Sequence, residues 1–195
     1  MASLEKVTKQ YRGKMASGYD EKRLKQRRWH EEHRIVEEML VTAKAKYVLD
    51  MPVGTGRFIP LYRKLKIAGV GIDSSEEMVA LAKKKNKGEI LVLRTGNGAK
   101  LEYDKPAFDT CVCVRFLNLI EPGSLATVMS EISRVTTKNL ICTIRLGDSY
   151  FSNSAMATHD EKWWNSLLKK HKWKVVRDEH EMFVKGWHLF HLVRA

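Results

Sequence analysis

The chain has 195 residues, 44% of them hydrophobic and 30% charged, with 35 Lys and Arg against 23 Asp and Glu for a formal net charge of +12. A chain of this length buries a core of its own as one domain, and this composition excludes a disordered polypeptide. Three Cys exclude a disulfide scaffold, no apolar run approaches the roughly 18 residues of a membrane span, and the start of the chain lacks the apolar stretch of a secretory signal, so the expectation is a cytoplasmic protein with no membrane partner.

Residues 21–43 predict a long helix with Trp29, Val36, Met39, Leu40 and Ala43 on one face, preceded by a basic arm or short extra helix over residues 1–20. Beyond it, short β-rich runs alternate with amphipathic ones. Residues 46–49 predict a strand ending in Asp50 and a glycine-containing turn, and residues 58–65 a helix. Residues 68–72 predict a second strand ending in Asp73, followed by a helix for which Ser74 and Glu77 form a capping-box pattern. Residues 90–93 and 110–114 read as the third and fourth strands. Ser124 then caps a helix with Leu125, Val128, Met129, Ile132 and Val135 on one face. A fifth strand over 140–144, a helix over 160–171 and two last strands over 172–177 and 187–193 complete the chain.

Most of these strands are near-continuous apolar runs, as a parallel sheet covered on both faces requires. The last two follow one another with only a loop between them and should pair antiparallel. The expected fold is α/β: a doubly wound, mostly parallel seven-stranded sheet with helices on both faces and an antiparallel C-terminal strand pair. Residues 1–195 form a single domain, with 1–43 as a helical arm and 44–195 as a Rossmann-like core.

Ligands of such sheets bind outside the carboxyl ends of the strands. Asp50 and Asp73 end the first two strands, with Gly54-Thr55-Gly56 between them. A backbone without side-chain bulk lets a nucleoside approach closely, and an acid 17 residues after Gly56 suits a pair of ribose hydroxyls. A dinucleotide fingerprint would place a third Gly where Ile59 stands, and the Gly-Lys-Ser/Thr of a phosphate-cradling loop is missing. The pattern favours a cationic nucleoside without phosphate.

The segments VLDMPVGTGRF, VGIDSSEEMVALAKKK and FDTCVCVRFLNLI together resemble the class I S-adenosylmethionine-dependent methyltransferases, in the branch of quinone-biosynthesis and other small-molecule enzymes. The resemblance covers most of residues 45–145 and implies S-adenosyl-L-methionine as cofactor. It implies Asp50 near the methionine ammonium, Gly54 and Gly56 under the nucleoside, Asp73 on the ribose hydroxyls, and Met78 or Ser74 against the adenine. Pro52 stands at the first Gly of the family pattern, where it removes one N–H but fixes φ. Asn97 and Gly98 stand where the family has Gly-Asp-Ala, and the Asn97 carbonyl would accept from the adenine amino group. Val114, Arg115 and Phe116 would line the methyl-transfer face. In the resembled enzymes the N-terminal segment folds over the cofactor; the methionine carboxylate needs a cationic partner, and the arm offers Arg28 with Tyr19, the alternative being a solvated basic helix.

The acceptor implied is a small molecule, and the +12 charge suits an anionic one. No catalytic base is declared; Tyr150 and His159, in the loop after the fifth strand, and Arg115 are the candidates on the acceptor side. Two other functions fit the basic surface: methylation of RNA or DNA, and a catalytically degenerate protein that binds cofactor or nucleic acid. Other conspicuous residues read more plainly. Cys111, Cys113 and Cys142 are small core hydrophobes rather than metal ligands. His30-Glu31-Glu32-His33 is one residue short of H-E-x-x-H and reads as a solvated helix face.

Overall fold

The computed structural model describes residues 19–148, 151–152, 157–180 and 185–195. It opens with two helices, α1 (Tyr19–Leu24) and α2 (Arg27–Thr42), where the sequence reads as one. The break falls at Gln26, whose backbone is extended (φ −100°, ψ 121°) and whose side-chain oxygen accepts from Arg23 Nη1 at 3.3 Å and Arg28 Nε at 3.0 Å. Lys25 and Gln26 are both good helix formers, so residue type alone gives no warning of it.

Next come β1 (Tyr47–Asp50), α3 (Ile59–Leu65), β2 (Ala68–Asp73), α4 (Glu76–Lys85), β3 (Leu91–Thr95) and β4 (Phe108–Cys113). A single 3-10 turn (Leu117–Leu119) leads into α5 (Pro122–Val135) and β5 (Thr136–Gly147). The tail contains β6 (Phe151–Ser152), β7 (Ala157–Asp160), α6 (Glu161–Lys170), β8 (Trp173–His180) and β9 (Trp187–Arg194).

Across the sheet the order β3-β2-β1-β4-β5 is parallel throughout; β9 lies antiparallel beside β5, and β8 antiparallel beside β9. These are the seven strands of the sequence reading, in its doubly wound arrangement. Two short strands were not foreseen. β7 runs parallel to the end of β5, pairing Leu146 with His159 and Gly147 with Asp160, and β6 pairs antiparallel with β7. Ala-Thr-His-Asp has no β-branched or aromatic run, and Asp160 also caps α6 by accepting from the Trp163 N–H at 2.6 Å.

Smaller boundaries also differ from the sequence reading. Ser75, not Ser74, caps α4, accepting from Met78 N–H at 3.3 Å. Helix α5 starts at Pro122, two residues before Ser124, because a proline at the first helical position gives up an N–H that would have no partner anyway. β5 begins at Thr136 rather than residue 140. Its polar start hid it, although Thr136 and Asn139 are buried and Asn139 Oδ1 accepts from His191 Nε2 at 3.0 Å.

Side chains alternate across the sheet and divide the core into two layers. In β4, Cys111 and Cys113 face the layer of α5 and α6, while Val112 faces the layer of α2, α3 and α4. Leu125, Val128, Met129, Ile132 and Val135 of α5 are fully buried, so truncating Leu125, Met129 or Ile132 to Ala would cost about 2–5 kcal/mol. No helix among the described residues is long and apolar enough to cross a membrane.

Candidate active site

A cleft opens at the carboxyl ends of β1, β2 and β4, on both sides of the place where the strand order reverses. Its floor is the turn after β1. There Gly54 and Gly56 adopt φ of +53° and +76°, which L side chains rarely tolerate. A Cβ on Gly56 would sit 2.6 Å from Ile59 Cδ1, whereas a Cβ on Gly54 would meet nothing within 4 Å. Gly56 packs the turn against the body; Gly54 leaves the turn's upper side open to a ligand.

Asp73, at the end of β2, lines the cleft and is only 8% exposed. Its Oδ2 accepts from the Gly54 N–H and its Oδ1 from the Ser75 N–H, both at 2.9 Å. Burial raises its pKa, and these backbone donors oppose the rise. The Ser74 N–H is a third backbone donor to this carboxylate, whose remaining acceptor capacity faces the cleft. Met78 of α4 and Ser74 line the cleft beside it.

Asp50 ends β1 beneath the turn, 2% exposed, and its Oδ2 has no hydrogen-bond partner. Burial, helped by the charge of Asp73, pushes its pKa up to about 8, against the opposing effects of Tyr62 and Arg57. A cation arriving beside this carboxyl would draw the proton off.

A basic corner closes the cleft. Trp29 and Glu32 enter from α2, Arg57 from the turn before α3, and Arg115 from just beyond β4. Arg57 Nη1 lies 2.9 Å and Arg115 Nε 2.7 Å from the same oxygen, Oε2 of Glu32. The Arg57 guanidinium lies 3.5 Å over the Trp29 ring and also donates to the Trp29 carbonyl. Arg115 is left-handed, at φ +62°, and its N–H donates to Thr143 Oγ1 at 2.5 Å. The N-terminal helix is tied in as well. The Thr55 hydroxyl donates to Asp20 Oδ1 at 2.6 Å, and Lys85 Nζ lies 2.5 Å from Asp20 Oδ2.

The structure therefore brings Pro52, Gly54, Asp73, Ser74, Met78, Val114, Arg115 and Phe116 to one cleft. It places other expected residues elsewhere: Asp50 and Gly56 lie beneath the cleft floor and do not line it. Arg28 bonds Gln26 and does not line the cleft. The Asn97 side-chain oxygen accepts from the Ala99 N–H at 2.9 Å, and Gly98 packs against Met51. His159 is fully buried: its Nε2 lies 3.1 Å from the Leu117 carbonyl, its ring stacks on Trp163, and burial lowers its pKa. It sits behind the cleft wall, because β7 turns it inward. Tyr150 and the Tyr19 side chain lie outside the described residues.

The solvated-face reading of His30–His33 fails at Glu32, which is 3% exposed and paired with two arginines. Its signal was available: Trp29, Glu32, Val36 and Met39 share one helical face, and a carboxylate on an apolar stripe calls for a buried cation. Arg57 and Trp29, also unforeseen as cleft residues, are its partners. Cys111, Cys113 and Cys142 are buried free thiols, raised in pKa by burial.

Residues 48–139 match the family described as Methyltransferase domain. Over 103 residues the chain is 35% identical to phosphatidylethanolamine N-methyltransferase of Cereibacter sphaeroides, an alignment covering 50% of this chain and 49% of that protein. Residues 48–139 therefore carry a methyltransferase domain, and the fold around it is that of S-adenosylmethionine-dependent methyltransferases. The chain thus spans about half the length of this curated relative. Two methyltransferase structures share the fold over nearly the whole chain. Magnesium protoporphyrin IX methyltransferase from Synechocystis PCC 6803 with bound SAH superposes with a TM-score of 0.77 at 17% identity, covering 99% of this chain and 100% of that one. Burkholderia thailandensis 1,6-didemethyltoxoflavin-N1-methyltransferase does so with a TM-score of 0.73 at 16% identity, covering 100% and 92%. The quinone-biosynthesis branch is not singled out among these methyltransferases. The methyltransferase cofactor is S-adenosylmethionine, and the open face over Gly54, the cleft-lining carboxylate of Asp73 and the buried Oδ2 of Asp50 fit it.

Proposed function

We propose that this protein transfers a methyl group from S-adenosylmethionine to a small, anionic acceptor. The observation that carries the reading is the Asp73 carboxylate, aimed by the Gly54 and Ser75 amides at the mouth of an apolar-walled cleft. Asp73 receives the ribose hydroxyls, Met78 packs against the adenine, and Asp50 lies under the methionine ammonium. When bound, the cofactor supplies an electrophilic methyl on a sulfonium.

The protein's own part is positioning and exclusion of water. Trp29, Val114, Phe116 and Leu119 give the cleft its apolar walls. The ionisable side chains lining it, among the described residues, are Asp73, Arg57 and Arg115. Asp73 is occupied at the nucleoside end, and a guanidinium donates hydrogen bonds but has no acceptor to take a proton. This set suits an acceptor whose attacking atom already carries a lone pair or negative charge and needs no base.

Calorimetric titration with S-adenosylmethionine and S-adenosylhomocysteine tests the cofactor assignment, with one-to-one binding of both expected. Mass spectrometry on a panel of small acids, amines and phenols then tests transfer. Absence of binding by either nucleoside would overturn the reading.

A further inference from the structure

We infer that Arg115 is the seat of the acceptor's anionic group: an acceptor carboxylate docks on its guanidinium, in a corner kept in shape by Glu32, Arg57, Trp29 and Trp187. The inference rests on the methyl-transfer reading above. Its first support is topological. Asp73 ends β2 and Arg115 follows β4, with β1 between them, so two strand spacings, about 10 Å, separate the two strand ends. With ribose at Asp73 and the glycine turn under the middle of the cofactor, the end of β4 falls to the molecule that meets the methyl group.

Charge and hydrogen bonding supply the second support. Within the trio, two guanidiniums share one carboxylate, and the side chains of Arg57, Arg115 and Glu32 are only 8%, 13% and 3% exposed. The Nη2 of Arg115 is sealed from solvent with no hydrogen-bond partner. A buried guanidinium N–H without an acceptor is rare and asks for a reason. A carboxylate drawing the fork slightly outward would take it up through two parallel hydrogen bonds.

Arg115 is also held ready. Its guanidinium lies 5.6 Å from the Trp29 ring centre and 5.7 Å from that of Trp187. Its left-handed backbone, pinned by Thr143, is the kind of strained conformation that persists where the surroundings enforce it. Glu32 fixes Nε and leaves the outer nitrogens for a ligand. Val114, Phe116 and Leu119 beside it offer apolar contact to an aromatic or aliphatic body.

The test uses the full chain saturated with S-adenosylhomocysteine and compares benzoate with benzamide by calorimetry. Benzoate should bind at least tenfold more tightly, and Arg115→Gln should abolish that preference while S-adenosylhomocysteine affinity changes less than twofold. Arg115→Lys keeps a charge for Glu32 but loses the two-pronged geometry. It should weaken benzoate at least threefold with benzamide unchanged, and it serves if the glutamine variant does not fold. Equal binding, or no binding, of the two probes to the natural protein would overturn the inference. So would a tenfold loss of S-adenosylhomocysteine affinity in Arg115→Gln with the benzoate preference retained, which would put the guanidinium on the cofactor's own carboxylate. If S-adenosylhomocysteine does not bind the natural protein at all, the methyl-transfer reading fails instead.

Discussion

Glu32 and Arg115, 83 residues apart in sequence, meet at 2.7 Å from Oε2 to Nε, and the same Oε2 lies 2.9 Å from Arg57. One carboxylate on the helical arm thus joins the two loops that form the cleft, the turn after β1 and the segment after β4. The arm is part of the site's architecture, attached through charge rather than through apolar packing alone.

Removing that charge should therefore be costly. In Glu32→Gln the two guanidiniums lose their shared counter-ion while remaining largely out of water, and breaking such a buried pair costs about 3 kcal/mol. Urea unfolding should show a lower midpoint with an unchanged slope. An unshifted midpoint would mean that the arginines find other partners.

Asp73→Ala should act mainly on cofactor. Charge-assisted hydrogen bonds contribute about 1.5–3 kcal/mol each. Losing those to the ribose should weaken S-adenosylhomocysteine at least tenfold by calorimetry. The Gly54 and Ser75 amides lose their acceptor too, so a modest drop in melting temperature should accompany it. Full affinity in the variant would remove Asp73 from the site.

Much of the cleft was legible in the sequence because its chemistry sits at strand ends. The acids at 50 and 73, the G-x-G between them and the Val114–Phe116 segment are positioned by backbone topology, which hydrophobic patterning reveals. The basic corner was harder to read. Glu32 and Arg57 are 25 residues apart and meet only through tertiary packing, and a HEEH string resembles an exposed face. His159 misled for a related reason. A short polar strand after β5 turns it inward, and nothing in Ala-Thr-His-Asp announces a strand.

The raised pKa of Asp50 gives a pH dependence whose sign can be worked out. Its folded pKa is about 8, against roughly 3.9 for an unfolded Asp, so between these values the native state holds a proton that the unfolded chain has lost. From this group, stability of the cofactor-free protein falls as pH rises from about 4 to 8, by at most about 1.4 kcal/mol per pH unit. Asp50→Asn should flatten that slope in urea titrations repeated across the range. A cationic amino group docking near Asp50 favours the carboxylate, so cofactor binding at pH 7 should release a proton and tighten as pH rises towards 8. Calorimetry in buffers of different ionisation enthalpy counts that proton; a count of zero in the natural protein would separate Asp50 from the ammonium.

Asp20 offers a test of whether the arm serves the cofactor. Its carboxylate accepts from Thr55 in the glycine turn and pairs with Lys85 on α4, so α1 fastens onto the very turn on which the nucleoside is proposed to lie. Both charged side chains are about a third exposed, so the ion pair itself adds no more than about 1 kcal/mol to stability. Asp20→Ala should therefore leave the fold intact. It should weaken S-adenosylhomocysteine severalfold, because the turn loses its tether and the bound state must supply the order. A chain beginning at Arg27 should behave in the same direction and more strongly, since the sheet and all its strands lie beyond that point. Hydrogen exchange over residues 19–26 and 54–57 should slow together when S-adenosylhomocysteine is added, if arm and turn close as one unit. Unchanged affinity in both variants, with exchange in the arm indifferent to the nucleoside, would leave α1 as a helical appendage that merely rests against the turn.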